Sequence, residues 1–101
     1  MLSTIAKQSN AGGGTAFALA LGTEIRRRRI ELGLSQASLG RPLSRAYISS
    51  VETGRLTPSL PSLLLIAKRL NSTAAAILSS VDVTLAEVAR GGSPNQAAIP
   101  R

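Results

Sequence analysis

The sequence predicts a compact all-α domain of five short helices over about residues 16–79, with a tail at each end. Apolar residues recur at helical spacing along this region. Serine or threonine precedes most of the periodic segments and glycine or asparagine follows most of them, as is typical of helix starts and ends. The length of 101 residues suits one small domain with a modest core.

The first predicted helix follows residues 1–14, an N-terminal arm without a periodic pattern that we expect to be disordered. Thr15 is a suitable N-cap for this helix. Gly33 suits the left-handed conformation that ends one. The apolar arc of the helix consists of Phe17, Leu21, Ile25 and Leu32.

Two short helices come next, and a tight turn joins them. Ser35 is a natural N-cap for the second helix and Ser44 for the third. Gly40 and Pro42 separate the two, because both residues oppose continuation of a helix. Gly54 is expected to end the third helix.

Ser59 is the expected cap of a fourth helix, which Asn71 can end in the left-handed conformation. Apolar side chains cover most of its circumference, which predicts a buried central helix: Leu60, Leu63, Leu64, Ile66, Ala67 and Leu70. Thr73 can cap a fifth helix, "AAAILSS". The following "VDVTLAEVARG" fits either a further helix or a strand, and "GSPNQAAIPR" is expected to be disordered.

The composition argues against several kinds of site. The chain contains no cysteine and no histidine, which removes disulfides, thiolate metal sites and the commonest catalytic base. We therefore expect no metal, no cofactor and no enzymatic activity. No apolar run approaches the roughly eighteen residues of a membrane helix, and the N-terminus does not resemble a secretory signal. We expect a cytoplasmic protein that does not bind membranes.

Positive charge is concentrated in the middle of the chain. Residues 21–70 hold nine lysines and arginines against three acidic residues, and so carry +6 of the net +7. Among the arginines of the first helix, Arg28 and Arg29 flank the apolar arc, whereas Arg26 and Arg27 lie away from it and are expected to be solvated. A compact positive segment attracts polyanions such as nucleic acid or an acidic membrane surface, although solubility alone explains it equally well.

The third helix is predicted to have two different faces. Tyr47, Ile48 and Val51 fall on one side and are expected to face the core. The opposite arc carries small polar or methyl side chains and one long cation: Arg45, Ala46, Ser49, Ser50 and Thr53. Such a face fits the major groove of DNA, where arginine can bind guanine N7 and O6. An ordinary solvated helix face is the alternative.

A short helix, a tight turn and a second helix with a polar outer face form the helix-turn-helix plan. The segments "LGTEIRRRRIELGLSQASL" and "SRAYISSVETGRLTPSLPSLLLIAKRL", over about residues 20–79, resemble the Cro and lambda-repressor class of helix-turn-helix domains, the xenobiotic-response-element-like family. The resemblance implies a lambda-repressor-like DNA-binding domain at residues 15–79. It also implies a bacterial or phage transcriptional regulator that binds double-stranded DNA. Because a single domain of this size contacts only a few base pairs, we expect a homodimer on a two-fold-symmetric site, associated with the nucleoid.

The resemblance assigns roles to individual positions. Base edges would be contacted by Arg45, Ala46, Ser49 and Ser50, all on the recognition helix at about 45–53. Phosphates would be contacted by Gln36, Ser44, Thr53 and Arg55. Arg29 and Glu52 would form a structural ion pair that ties the first helix to the recognition helix. The family has a longer connection between the positions of Gly40 and Ser44, so we expect a shorter second helix and a different angle between the two helices.

Residues 80–101 form a C-terminal extension that leaves alternatives open. Its apolar residues fit either a dimer contact or satellite packing on the core: Val81, Val83, Leu85 and Val88. The extension could also hold a protein partner, as in an antitoxin or adaptor subunit that uses the same fold for protein–protein interaction. A membrane-surface peptide built on "RRRRIELG" is disfavoured, because its arginines encircle the helix instead of lining one face.

Overall fold

The computed structural model describes residues 14–91, apart from the solvent exposure of residues 14, 15 and 40. Five helices follow one another: α1 (Gly14–Glu31), α2 (Gln36–Gly40), α3 (Arg45–Glu52), α4 (Leu60–Arg69) and α5 (Ala74–Ala89). No strand occurs within the described range, so the predicted all-α class with five helices is confirmed. The arm and the C-terminal tail expected to be disordered fall on residues 1–13 and 92–101, which lie outside that range.

Hydroxyl caps set the starts of α2 to α5, as the sequence predicts. In each case the side-chain oxygen accepts a hydrogen bond from a backbone N–H three residues later, which satisfies one of the unpaired donors of the first turn. The pairs are Ser35 with Ser38, Ser44 with Tyr47, Ser59 with Ser62, and Thr73 with Ala76. The start of α1 differs, because this helix begins at Gly14, before the expected cap Thr15.

Four helices end at residues with a positive φ: α5 is followed by Gly91 with φ of 96°, and the other three end at residues that the sequence predicts. Gly33 follows α1 with φ of 70°, Gly54 follows α3 with φ of 79°, and Asn71 follows α4 with φ of 55°. Glycine adopts this conformation without a steric penalty, and asparagine tolerates it better than most residues. These helix ends are therefore encoded locally, as predicted.

Each of the five helices contributes a side chain with 0% exposure to one shared core. These side chains are Ile25, Leu39, Ile48, Ile66 and Ile77, in the order of the helices. Even the five-residue α2 is anchored in this way. The core fixes the orientation of α3, which is the helix that carries the predicted recognition face.

Two predictions about buried apolar residues are wrong. Leu60 and Leu64 are 61% and 53% exposed, because α4 packs on the core with one side only and its other side faces solvent. Leu32 is 44% exposed, since α1 ends at Glu31 and helical spacing no longer governs the direction of the next side chain.

The fifth helix is longer than the segment "AAAILSS". It continues through the ambiguous segment to Ala89, so a helix forms there and not a strand. No glycine or proline interrupts the chain between Ala74 and Ala89. Val81 is buried and Leu85 packs against the core, so α5 carries the domain across the expected boundary between residues 79 and 80.

None of the five described helices alone has the length and apolar composition needed to cross a bilayer. By length and composition, α4 and α5 meet that criterion together, with a bend of 101° at the break between them. Both helices place side chains in the core, and this packing accounts for their apolar composition.

Candidate nucleic-acid interface

The third helix has an inner face and an outer face, as its sequence pattern predicts. Ile48 and Val51 are fully buried, and Tyr47 is half-buried against the core. The four residues expected to contact bases lie away from this side. Arg45 and Ala46 are exposed, and Ser49 and Ser50 are half-buried. Among these four residues, the two at the N-terminal end of the helix are therefore the more accessible.

The C-terminal end of α3 lies directly against Gly22 of α1. A Cβ atom at Gly22 would be 2.2 Å from the carbonyl oxygen of Val51 and 2.8 Å from that of Glu52. Only glycine allows this approach without a shift of one of the two helices. From the sequence alone, Gly22 is expected only to weaken the helix locally. A glycine inside a helical pattern can, however, also indicate close packing against another element.

Arg29 and Glu52 form a bidentate ion pair between α1 and α3. Arg29 Nε lies 2.6 Å from Glu52 Oε2, and Arg29 Nη2 lies 3.0 Å from Oε1. The side chains are only 12% and 2% exposed. The hydrogen bond with Glu52 raises the pKa of Arg29, and this effect outweighs the opposing effect of burial. The pair lies at the junction of the two helices and holds them together.

Gln36 joins the same ion pair from the start of α2. Its Nε2 donates to Glu52 Oε1 at 3.0 Å, so the carboxylate accepts three hydrogen bonds. Arg29 Nη1 also donates to the carbonyl oxygen of Leu34, just before α2, at 2.8 Å. One amide hydrogen of Gln36 is used in this way and one is left for an external acceptor. Sequence spacing contained no signal for the contact between Gln36 and Glu52.

The other residues expected to contact phosphates differ in the donors that they offer. The oxygen of Ser44 accepts from the N–H of Tyr47, which leaves the hydroxyl hydrogen available. Thr53 Oγ1 instead donates to the carbonyl oxygen of Ser49 at 2.9 Å, so its hydrogen is already used at the end of α3. Arg55 is exposed, and its backbone N–H donates to the carbonyl oxygen of Ser50 at 2.9 Å, which fixes the start of the loop.

Ion pairing divides the cations of residues 21–70 into two groups. The three acidic residues of this segment, Glu24, Glu31 and Glu52, pair only with arginines of α1. Six cations have no carboxylate partner in the described part of the chain: Arg26, Arg41, Arg45, Arg55, Lys68 and Arg69. The local excess of positive charge therefore resides on these six side chains.

Two of the six unpaired cations are accounted for by the fold. Lys68 and Arg69 lie in the last turn of α4, where the helix dipole favours positive charge. Arg69 also donates to the carbonyl oxygen of Ser38 at 3.1 Å. The remaining four lie on α1, in the turn before α3, at its first residue and in the loop after it. Positive charge is thus concentrated around the helix with the exposed polar face.

Glu24 belongs to the paired group of charges on α1. Burial by itself raises the pKa of Glu24, but hydrogen bonds from Arg27 and Arg28 outweigh that effect and the net pKa lies below its ordinary value. Between residues 14 and 91, no group of three or more acidic side chains is placed to hold a metal ion.

Comparisons with known proteins agree with this geometry. The model of a family described as helix-turn-helix matches residues 25–77. Two solved structures described as the clp gene regulator ClgR from Corynebacterium glutamicum are similar, each with 26% sequence identity. One has a TM-score of 0.69 and covers 74% of this chain and 82% of that chain. The other has a TM-score of 0.61 and covers 65% and 88%, respectively. No curated protein matches the sequence.

Proposed function

The chain belongs to the Cro and C1 type of the helix-turn-helix family, whose members are DNA-binding transcriptional regulators, and we propose that α3 is its recognition helix. In this proposal α3 enters the major groove of double-stranded DNA, which is wide enough for one helix. Arg45 binds guanine N7 and O6, Ser49 and Ser50 bind base edges as donors or acceptors, and Ala46 contacts a thymine methyl group.

One observation carries this proposal: α3 is rigidly held by its inner face while its outer face is exposed and its first residue is an unpaired cation. Ile48 and Val51 fix the helix in the core, and Glu52 fixes its end to α1. Arg45 lies at the positive end of the helix dipole, where a cation is unfavourable. An acceptor-rich guanine edge or a phosphate would supply the missing counterpart.

We propose that four residues around α3 donate hydrogen bonds to phosphates of the DNA backbone. Each has an unused hydrogen-bond donor or can free one: Gln36, Ser44, Thr53 and Arg55. Gln36 and Ser44 retain a hydrogen for a phosphate oxygen. Thr53 must give up its hydrogen bond to Ser49 to do the same. Such contacts position the domain on the duplex and do not read its sequence.

Specificity over a genome requires more base pairs than one domain of this size contacts, so we propose a homodimer on a two-fold-symmetric site. Val81 is buried and Leu85 packs on the core, which leaves Val83, 63% exposed, as the apolar residue of α5 most accessible to a second copy. The protein would act in the cytoplasm, associated with the nucleoid. Nothing in this function requires catalysis, a cofactor or a metal.

Selection of bound fragments from a random duplex library tests the proposal. We expect enrichment of one symmetric sequence with half-sites about 10 base pairs apart. Binding to that sequence should weaken steeply with salt, because cations that neutralise phosphates release counterions. Absence of any enriched sequence would contradict the proposal and favour an antitoxin or adaptor subunit that binds protein.

A further inference from the structure

The four consecutive arginines of α1 differ in how their charge is used within the domain. Arg27 pairs with Glu24 and Glu31, Arg28 with Glu24, and Arg29 with Glu52. Arg28 also donates to the hydroxyls of two serines near and on α5, Ser72 and Ser80. Arg26 is exposed and has no hydrogen bond or ion pair with any residue of the described range. Packing and ion pairing therefore account for three of the arginines and leave Arg26 without a role.

None of the acidic side chains of the chain forms an ion pair with Arg26. The sequence has five acidic residues, and every one lies between residues 14 and 91. Four of them pair with other arginines: Glu24, Glu31, Glu52 and Glu87. The fifth, Asp82, lies in the middle of α5 and forms no ion pair with a described residue. Residues 1–13 and 92–101 contain no acidic side chain, so the sequence offers Arg26 no further side-chain carboxylate.

Arg26 lies on the side of α1 that packs against the end of α3. Residues three or four apart on a helix are neighbours on its surface. This rule places four residues in one strip of α1: Leu19, Gly22, Arg26 and Arg29. Three of the four contact the end of α3 or the residue that follows Thr53, which brackets the position of Arg26.

The three contacts that locate this strip are made by Leu19, Gly22 and Arg29. A Cβ at Gly22 would lie 2.2 Å from the carbonyl oxygen of Val51. Leu19 lies close to Gly54: a Cβ atom added to Gly54 would be 2.6 Å from Leu19 Cδ2. Arg29 pairs with Glu52. Arg26 therefore lies one turn from Gly22 and one turn from Arg29, on the strip of α1 that packs against the end of α3 and the start of the following loop.

We propose that Arg26 contacts a phosphate of the DNA backbone next to those held by Thr53 and Arg55. This inference rests on the proposed function, because it places α3 in the groove. An unpaired guanidinium beside a phosphate-binding loop matches the geometry of phosphate oxygens, which it can bind with two parallel hydrogen bonds. The contact strengthens binding to any sequence equally, since phosphates carry no base identity.

The experiment compares Arg26→Ala with Arg27→Ala, two exposed neighbours whose replacement removes the same single charge. Fluorescence anisotropy measures the affinity of each variant for the selected duplex and for a scrambled duplex between 50 and 200 mM salt. Loss of one phosphate contact in each subunit of the proposed dimer should make the slope of log K against log salt shallower by about 1.8. Over this range wild type should thus lose about 12-fold more affinity than Arg26→Ala.

The control and the conservative variant make the result specific to Arg26. Arg27→Ala should keep the wild-type slope, because Glu24 and Glu31 already neutralise that side chain. Arg26→Lys should restore the slope, since a lysine also neutralises a phosphate. The thermal unfolding midpoint of Arg26→Ala should equal that of wild type.

Two outcomes would overturn the proposal. An unchanged slope for Arg26→Ala would show that Arg26 does not contact phosphate, and a slope change of equal size in Arg27→Ala would show a general effect of net charge. In either case the proposed function would remain supported if wild-type protein binds the selected duplex specifically and its affinity falls steeply with salt. Wild-type protein that binds neither duplex would contradict the proposed function itself.

Discussion

Gln36 Nε2 donates a hydrogen bond to Glu52 Oε1 at 3.0 Å, which ties a proposed phosphate contact to the buried ion pair between α1 and α3. The same carboxylate accepts two hydrogen bonds from Arg29. Helices α1, α2 and α3 therefore meet at one side chain. Contact between Gln36 and a phosphate would be transmitted directly to the residue that positions the end of the recognition helix.

Replacement of Gln36 by alanine should weaken binding to the selected and the scrambled duplex by the same factor, because phosphates are read without regard to sequence. It should also lower the free energy of unfolding by about 0.5–1.5 kcal/mol, since one hydrogen bond to Glu52 is lost while the bonds from Arg29 remain. Anisotropy and urea denaturation measure the two effects. A loss confined to the selected duplex would mean that Gln36 reads a base.

Replacement of Glu52 by alanine should lower the free energy of unfolding by about 3–5 kcal/mol, because it leaves the largely buried Arg29 without its counter-charge. Glu31→Ala is the matched control, since Glu31 pairs with Arg27 at the surface and is 63% exposed. The control should cost about 0–1 kcal/mol. If Glu52→Ala prevents folding, Glu52→Gln, which keeps the shape of the side chain, should fold with an intermediate loss. Equal, small losses for Glu52→Ala and Glu31→Ala would contradict a structural role of the buried pair.

Replacement of Gly22 by alanine should lower both stability and DNA affinity. The new methyl group would overlap the carbonyl oxygen of Val51, so the end of α3 must move away from α1, at a cost of about 1–3 kcal/mol. Gly33→Ala is the control. A Cβ atom at Gly33 would meet no neighbouring atom, so this variant adds only the backbone strain of alanine at a φ of +70°. That variant should lose about 1 kcal/mol of stability.

The two glycine variants separate stability from recognition. Titrations of each folded variant with the selected duplex should show weaker binding for Gly22→Ala and wild-type affinity for Gly33→Ala. Unchanged affinity in Gly22→Ala would show that the packing of α3 on α1 does not control how the recognition helix meets DNA.

Local rules account for the parts of the fold that the sequence predicts. Hydroxyl residues such as Ser35 and Ser44 cap helices through bonds that span only three positions. Glycine and asparagine end helices through their own backbone preference. The inner face of α3 follows from helical spacing alone, because a single side of that short helix is apolar.

Tertiary packing decides what the sequence does not predict. The exposure of Leu60 and Leu64 depends on which side of α4 the neighbouring helices cover, and spacing within α4 carries no such information. The close approach at Gly22 and the bond between Gln36 and Glu52 likewise join residues distant in sequence. The sequence leaves the length of α5 open because the pattern of residues 81–91 fits either a helix or a strand, and packing on the core selects the helix.

We propose that the outer face of α3 reads base edges, and the variant Arg45→Ala is the sharpest probe of this readout. Its affinity is measured for the selected duplex, for a scrambled duplex and for duplexes that carry single base-pair changes. We expect a loss of about 1–3 kcal/mol on the selected duplex, relaxed preference at one base pair, and a smaller loss on the scrambled duplex. Equal losses on all duplexes would contradict it.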